Sequence, residues 1–319
     1  MERLDNIIGI AEMGSYVPDS LSSNQEKKSV FEIDDNFLNT KIGIDFTSRK
    51  NSDEETSDLC VKAFEDLNTK IILEKNDIKC IVVVTQNPDG DGLPHTSAIV
   101  HHKLGLADDC AAFDISLGCS GFVYGLSVIE SFMASNQIKN GLLFTCDPYS
   151  KIVDPKDKNT ALLFGDAATV ALINDKPRFI SLSFSFGTRG SEGRALISNN
   201  RVLSMDGRAV FAFSATEVPV QIRRLLEKNG YTLENIDLFL LHQGSKYIID
   251  TITRRLGISV DKVPTNLKNM GNTVSSSIPL LLNEYLNKAK IKTILLSGFG
   301  VGLSWASGIL QRIGIVGKN

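Results

Sequence analysis

The segment FDISLGCSGFVYGLSVIESFMASNQIKNGLLFTCD, residues 113–147, decides how the rest of the chain is read. It opens on a short apolar run ending at Phe113-Asp114-Ile115. A small-residue turn follows, Leu117-Gly118-Cys119-Ser120-Gly121. Phe122, Leu126, Ile129 and Met133 then recur at helical spacing, and Gly141-Leu142-Leu143-Phe144-Thr145 forms a second apolar run. Strand, helix and strand in immediate succession make a crossover unit between parallel strands. Working outward, Cys80–Val84, Ala167–Ile173, Ile236–Leu241 and Ile294–Ser297 read as further buried strands. Ile248, Ile252 and Leu256 fall on one helix face that Gly257 closes, and another helix begins after Ser277-Ile278-Pro279. Continuous apolar strands alternating with helices imply an α/β protein whose sheets are covered on both faces.

The same segment can be laid on a later one, TNLKNMGNTVSSSIPLLLNEYLNKAKIKTILLSGFG, residues 265–300. Gly118 then meets Gly271, an offset of 271 − 118 = 153, and Leu143 meets Leu295, an offset of 152. Gln86 after VVVT meets Gln243 after LFLLH, an offset of 157. A near-constant offset predicts a duplicated unit, with halves 1–175 and 176–319 and with Cys119 and Asn272 at equivalent positions. The polar stretch 50–57 reads as a surface loop, and 187–201 as a lid or crossing loop.

The composition is that of a globular protein: 319 residues, 42% hydrophobic and 22% charged. That excludes a disordered, collagen-like or coiled-coil chain. A net charge of −3 without a basic stripe argues against nucleic acid. No run is long and apolar enough for a membrane span, and Glu2 and Asp5 do not suit a signal peptide. Five dispersed cysteines without CxxC spacing suggest neither a disulfide framework nor a zinc site, and fit a reducing cytoplasm.

Few residues are placed to do chemistry. Cys119 stands at a predicted helix N-terminus, where the positive end of the helix dipole favours thiolate. His242 follows the apolar run LFLL, at the end of a predicted strand where open α/β sheets form sites. Asn272 sits in Gly271-Asn272-Thr273, which taken alone also reads as a turn before a helix cap. Gly298-Phe299-Gly300-Val301-Gly302 can bring backbone N–H groups close to an oxyanion, or be a plain turn. It has the order of neither the dinucleotide nor the ATP motif.

Together these pieces resemble the β-ketoacyl-[acyl carrier protein] synthase III family of the thiolase-like superfamily, along essentially the whole chain. The resemblance runs through Gly14–Pro18, Gly118–Ser127, Asp154-Pro155, Phe164–Ala167, Met205–Gly207, His242-Gln243, Gly271–Thr273 and Phe299 to Trp305. It implies a five-layered αβαβα fold of two similar halves and a homodimer paired through the N-terminal half. It implies Cys119 as an acyl-accepting nucleophile, its thiolate favoured by the helix terminus and His242. His242 and Asn272 become donors to the thioester oxygen of malonyl-carrier protein, Phe299 a neighbour of the malonyl carboxylate, and Cys119 and Val301 the backbone oxyanion donors. Acyl-CoA and malonyl-carrier protein are then substrates, the acyl carrier protein is a partner, and no metal or redox cofactor is needed. The corresponding binding positions are Phe37, Lys41, Lys158, Arg208 and Lys246, with Arg254 and Arg255 as further candidates for an acidic carrier protein. Phe37 and Lys158 replace the family's adenine-sandwiching Trp and Arg. Tyr247 replaces an Arg that meets the carrier protein, and Val301 replaces the central glycine of three. Leu117–Gly121 and Thr85–Asp89 resemble relatives found with saccharide and secondary-metabolite genes. The lost adenine sandwich keeps a second activity in view, transfer of the acyl group to an amine or hydroxyl, and beside it stands a non-catalytic scaffold.

Overall fold

The computed structural model describes residues 7–314. Its large mixed sheet has nine strands: β1 (Gly9–Tyr16), β2 (Cys80–Val84), β3 (Ala111–Ile115), β4 (Asn140–Cys146), β5 (Ala168–Asn174), β6 (Phe179–Thr188), β7 (Leu238–Leu241), β8 (Thr293–Gly300) and β9 (Ser304–Arg312). Their order is β7-β8-β9-β6-β1-β5-β4-β2-β3. From β1 outward the pairings are antiparallel to β5, antiparallel to β4, then parallel to β2 and β3. From β6 outward they are antiparallel to β9, antiparallel to β8, then parallel to β7. The two sets meet at a single registered pair, Ile10 and Phe179.

Six longer helices cover and separate these strands: α1 (Thr56–Lys70), α2 (Thr96–Leu104), α3 (Gly121–Ser135), α4 (Gly207–Lys228), α5 (Lys246–Leu256) and α6 (Ser277–Tyr285). The strand period of two sorts side chains between cores. Cys80, Val82 and Val84 enter a central core, while Ile81 and Val83 enter an outer one with Leu59 and Ala63 of α1 and Val100 of α2. Likewise Leu238 and Leu240 point to the central core, and Phe239 and Leu241 to the other outer core with Ile222 of α4 and Ile252 of α5. Phe122 and Leu126 of α3, with Ile278 and Leu281 of α6, fill the centre between the two strand sets. The layers therefore run α, β, α, β, α, as the sequence implied. Each fully buried Leu, Ile or Phe at the centre contributes about 1.5–3 kcal/mol, so the two strand sets are strongly coupled through α3 and α6.

Two loop expectations are corrected. Within 187–201 the chain finishes β6, makes a short helical turn at Gly190–Ala195, and enters a hairpin of Leu196–Asn199 with Val202–Met205. The stretch 50–57 is a loop only in part, because Thr56 and Ser57 begin α1 and are buried. Among the described residues no helix is long and apolar enough to cross a membrane.

Candidate active site

Cys119 lies between β3 and α3. The Gly121 N–H donates to Gly118 O at 2.7 Å, which tightens the turn into α3. The β8 end packs flush against this turn. A Cβ on Gly300 would stand 2.7 Å from Cys119 Sγ, and one on Gly298 would stand 2.5 Å from Cys119 O. These are the close approaches that only glycine permits. Backbone N–H groups of Val301 and of Cys119 itself donate toward Sγ.

One electrostatic expectation is overturned. Burial dominates at Cys119 and pushes the thiol up to about 12, the Asp147 carboxylate adds to the rise, and the two N–H groups oppose it without winning. Burial also pushes His242 down to about 3, so its imidazole is neutral. The resting pair is thus a neutral thiol and a neutral imidazole, rather than the thiolate that the helix terminus and His242 were expected to favour.

His242 continues β7, its N–H donating to Ser297 O at 2.9 Å, and it is 3% exposed. Its Nδ1 is 2.7 Å from Ser277 Oγ at the start of α6. The single Ser277 hydroxyl proton can lie toward Nδ1 or toward Val274 O, 3.0 Å away, and its position selects which ring nitrogen carries hydrogen. Phe299 meets the imidazole edge-on, with ring centroids 5.5 Å apart. Asn272 is held by the other strand set: its N–H donates to Leu163 O at 2.8 Å and its carbonyl accepts from the Gly165 N–H at 3.0 Å. Its Oδ1 accepts from the Val274 N–H at 2.9 Å, which leaves the Nδ2 hydrogens for the cavity that Asn272 lines.

That cavity, of about 630 Å³, has Cys119, His242, Asn272, Phe299 and Gly300 along its wall. Phe37, Lys41, Lys158 and Arg208 line the same cavity, and the three cations are exposed. Lys246 does not line it and pairs instead with Asp250. Arg254 and Arg255 also lie outside it, and Arg255 donates to Ala215 O of α4 at 2.9 Å, tying the two helices together. Val301 does not line it and lines instead a second, smaller cavity. Among the described residues, no three His, Cys, Asp or Glu side chains converge as metal ligands.

Comparison with known proteins fits this geometry. Residues 113–190 match the family model 3-oxoacyl-[acyl-carrier-protein] synthase III, and residues 226–312 match the model of its C-terminal part. The chain is 35% identical over 321 residues to a β-ketoacyl-[acyl-carrier-protein] synthase III of Streptococcus sanguinis, covering 95% of this chain and 98% of that one. The chain belongs to the synthase III family. A family member from Neisseria gonorrhoeae is 33% identical at the same coverage. The solved synthase III of Thermus thermophilus superposes with a TM-score of 0.89 at 32% identity, covering 96% of this chain and 99% of that one. The Xanthomonas campestris protein OleA, 18% identical, shares the fold at a TM-score of 0.88.

Set beside the synthase III pattern, the cavity holds features that the sequence did not point to. Lys41 Nζ stands 3.5 Å from the Tyr247 ring centroid, and Tyr247 stacks on Phe211 at 4.8 Å. Phe211 belongs to α4 and lies beside the buried stripe of Val210, Phe213, Val218, Ile222 and Leu225 rather than on it, so helical spacing did not announce it. Ser277 was visible only as part of a serine cluster that also reads as a helix cap. Tyr149, buried beside Cys119 in the same core, carried no signal at all.

Proposed function

We propose that the protein catalyses decarboxylative Claisen condensation of an acyl-CoA with malonyl-[acyl carrier protein], giving 3-oxoacyl-[acyl carrier protein]. The observation that carries this is the convergence of Cys119, His242 and Asn272 on one cavity, with two backbone N–H groups aimed at Sγ. Cys119 sulfur attacks the acyl thioester carbonyl, the carbon–sulfur bond to coenzyme A breaks, and coenzyme A leaves with the thiol proton. The N–H groups of Cys119 and Val301 hold the oxyanion. In the second half-reaction, Asn272 Nδ2 and His242 Nε2, the latter protonated when Ser277 donates to Nδ1, bind the malonyl thioester oxygen as CO2 departs. Phe299 presents an apolar ring to the departing carboxylate. The enolate carbon then attacks the acyl-Cys119 carbonyl, the carbon–sulfur bond to Cys119 breaks, and the sulfur leaves as a thiolate that takes a proton from water to restore the thiol. Incubation with acyl-CoA and malonyl-carrier protein tests this reading. No CO2 and no ketoacyl product would sink it, and turnover of acyl-Cys119 without CO2 would favour transfer to an amine or hydroxyl instead.

The protonation states set a pH dependence. The thiol is neutral below about 12, so acylation of Cys119 accelerates as pH rises from 6 to 9. The imidazole loses its proton near 3, so decarboxylation stays flat over that range. Stopped-flow acylation and CO2 release, measured separately, check both slopes.

Lys41, Lys158 and Arg208 ring the mouth and suit the phosphate of a phosphopantetheine or coenzyme A arm. Reversing Lys41 and Arg208 to glutamate is expected to raise the carrier-protein KM about tenfold with kcat changed little. Equal loss in both parameters would contradict a docking role. Halves 1–175 and 176–319 are read as copies of one unit, supported by the repeated pairing order. A homodimer through β3 is supported by its position at the sheet edge, where Phe113 and Phe132 are only partly buried. All five cysteines are free, which fits a reducing cytoplasm.

A further inference from the structure

Val274 has a backbone φ of 52°, in the left-handed region. A β-branched residue is poorly suited to that conformation, because its Cβ crowds the following carbonyl oxygen, whereas glycine and asparagine enter it readily. Among the described residues four other non-glycine residues have positive φ: Glu32, Gln137, Asn200 and Arg201. All four are exposed, and none is β-branched. Val274 is fully buried. Strain of this kind persists where the surroundings over-determine the backbone, and it clusters where exact geometry matters.

The surroundings here are the supports of the site. The Val274 N–H donates to Asn272 Oδ1 at 2.9 Å and so turns the amide nitrogen toward the cavity. The Val274 carbonyl accepts the Ser277 hydroxyl at 3.0 Å in one position of its proton, and it lies within reach of the His242 ring, whose protonated form it favours. The isopropyl group serves a third neighbour. A Cβ built on Gly118 would stand 3.4 Å from Val274 Cγ1, so this side chain rests against the bare backbone leading into Cys119. The turn is also pinned from behind. Ser276 Oγ is 2.9 Å from Thr145 Oγ1 and has the carbonyls of Thr145 and Ala167 as acceptors at 3.0 and 3.2 Å. Relaxation of Val274 to negative φ would therefore displace Asn272, Ser277 or the turn before Cys119.

We propose that Val274 is a positioning residue for decarboxylation: its side chain, wedged against Gly118, locks a strained turn whose N–H and carbonyl aim Asn272 and His242 at one substrate oxygen. The proposal rests on the assignment of those two residues to the malonyl thioester and names what holds them together. Acylation of Cys119 draws on the N–H groups of Cys119 and Val301 instead, so the two half-reactions respond differently to a change at 274.

The test is Val274→Gly, which removes the wedge and frees the backbone. CO2 release from malonyl-carrier protein is expected to fall about tenfold in kcat with little change in KM, the pattern of misaligned donors rather than lost binding. Acylation of Cys119 by acetyl-CoA, read by intact mass, is expected to stay within about threefold. Val274→Thr keeps the branch and the shape, and is expected to recover most of the decarboxylation rate. Should Val274→Gly fail to fold, as reported by its denaturation midpoint, Val274→Ala carries the same comparison with a smaller expected loss of about threefold. Undiminished CO2 release in the glycine and alanine variants overturns the proposal. So does an equal fall in both half-reactions, which is the mark of general loosening, or a threonine variant as slow as the glycine one. Absence of CO2 release from the unmodified protein overturns the decarboxylation reading itself.

Discussion

Cys119→Ala is expected to lower ketoacyl formation by at least about 10⁴-fold in kcat/KM, as removal of a covalent nucleophile does elsewhere. CO2 release from malonyl-carrier protein should persist in the same variant. The reason is a division of labour across the cavity wall. Acylation needs Sγ and the N–H groups aimed at it, whereas decarboxylation needs donors to a different oxygen, and those are assigned to His242 and Asn272. Truncating the thiol leaves the Ser277 contact to His242 and the Val274 contact to Asn272 intact. Measuring CO2 and ketoacyl product in parallel checks the split. Ketoacyl formation within tenfold of the unmodified rate would remove Cys119 from the reaction, and loss of both activities together would mean that the two steps are not separable.

Gly165→Ala is expected to cost about 3 kcal/mol of stability, the upper part of the range for overpacking, and to reduce both activities. A Cβ there would fall far inside van der Waals contact with Met270 O, a backbone atom with no side-chain freedom to yield. Gly165 is also the residue whose N–H holds the Asn272 carbonyl, next to the bridge between Phe164 and Asn272. Relief of the clash must therefore move the chain that delivers Asn272. Chemical denaturation reports the stability loss, and decarboxylation of malonyl-carrier protein reports the displacement. An unchanged denaturation midpoint would show that this seam is softer than the packing indicates.

How far the sequence revealed this molecule depended on the kind of strand and the kind of site. β2, β4, β7 and β8 are buried on both faces and read as unbroken apolar runs, so they were visible. β6 and β9 are FISLSFSFGT and SWASGILQR, where serine and glycine interrupt the apolar residues, and neither stood out. α4 was hidden by Pro219 inside it, although Val210, Phe213, Val218, Ile222 and Leu225 fall at helical spacing. Cys119, His242 and Asn272 were legible because each sits beside small residues at the end of an element, and their order along the chain matches the family pattern. The protonation of the thiol was not legible. A helix terminus can be seen in sequence, but the burial that outweighs it comes from β8, which folds back over Cys119 from nearly two hundred residues away. The contact between Gln86 and Tyr149 was hidden for the same reason, since the two meet only once β2 and β4 lie side by side.

A nucleophile closed in by Phe299 and Gly300 and held near pKa 12 is also a poor target for oxidants. Peroxide and disulfides react with the anion rather than the thiol, and a thiol whose pKa is raised this far is almost entirely protonated at neutral pH. No other cysteine lines the cavity to serve as a resolving thiol. Between turnovers the sulfur is thus kept at the bottom of its oxidation ladder by burial, with the Asp147 carboxylate adding to it.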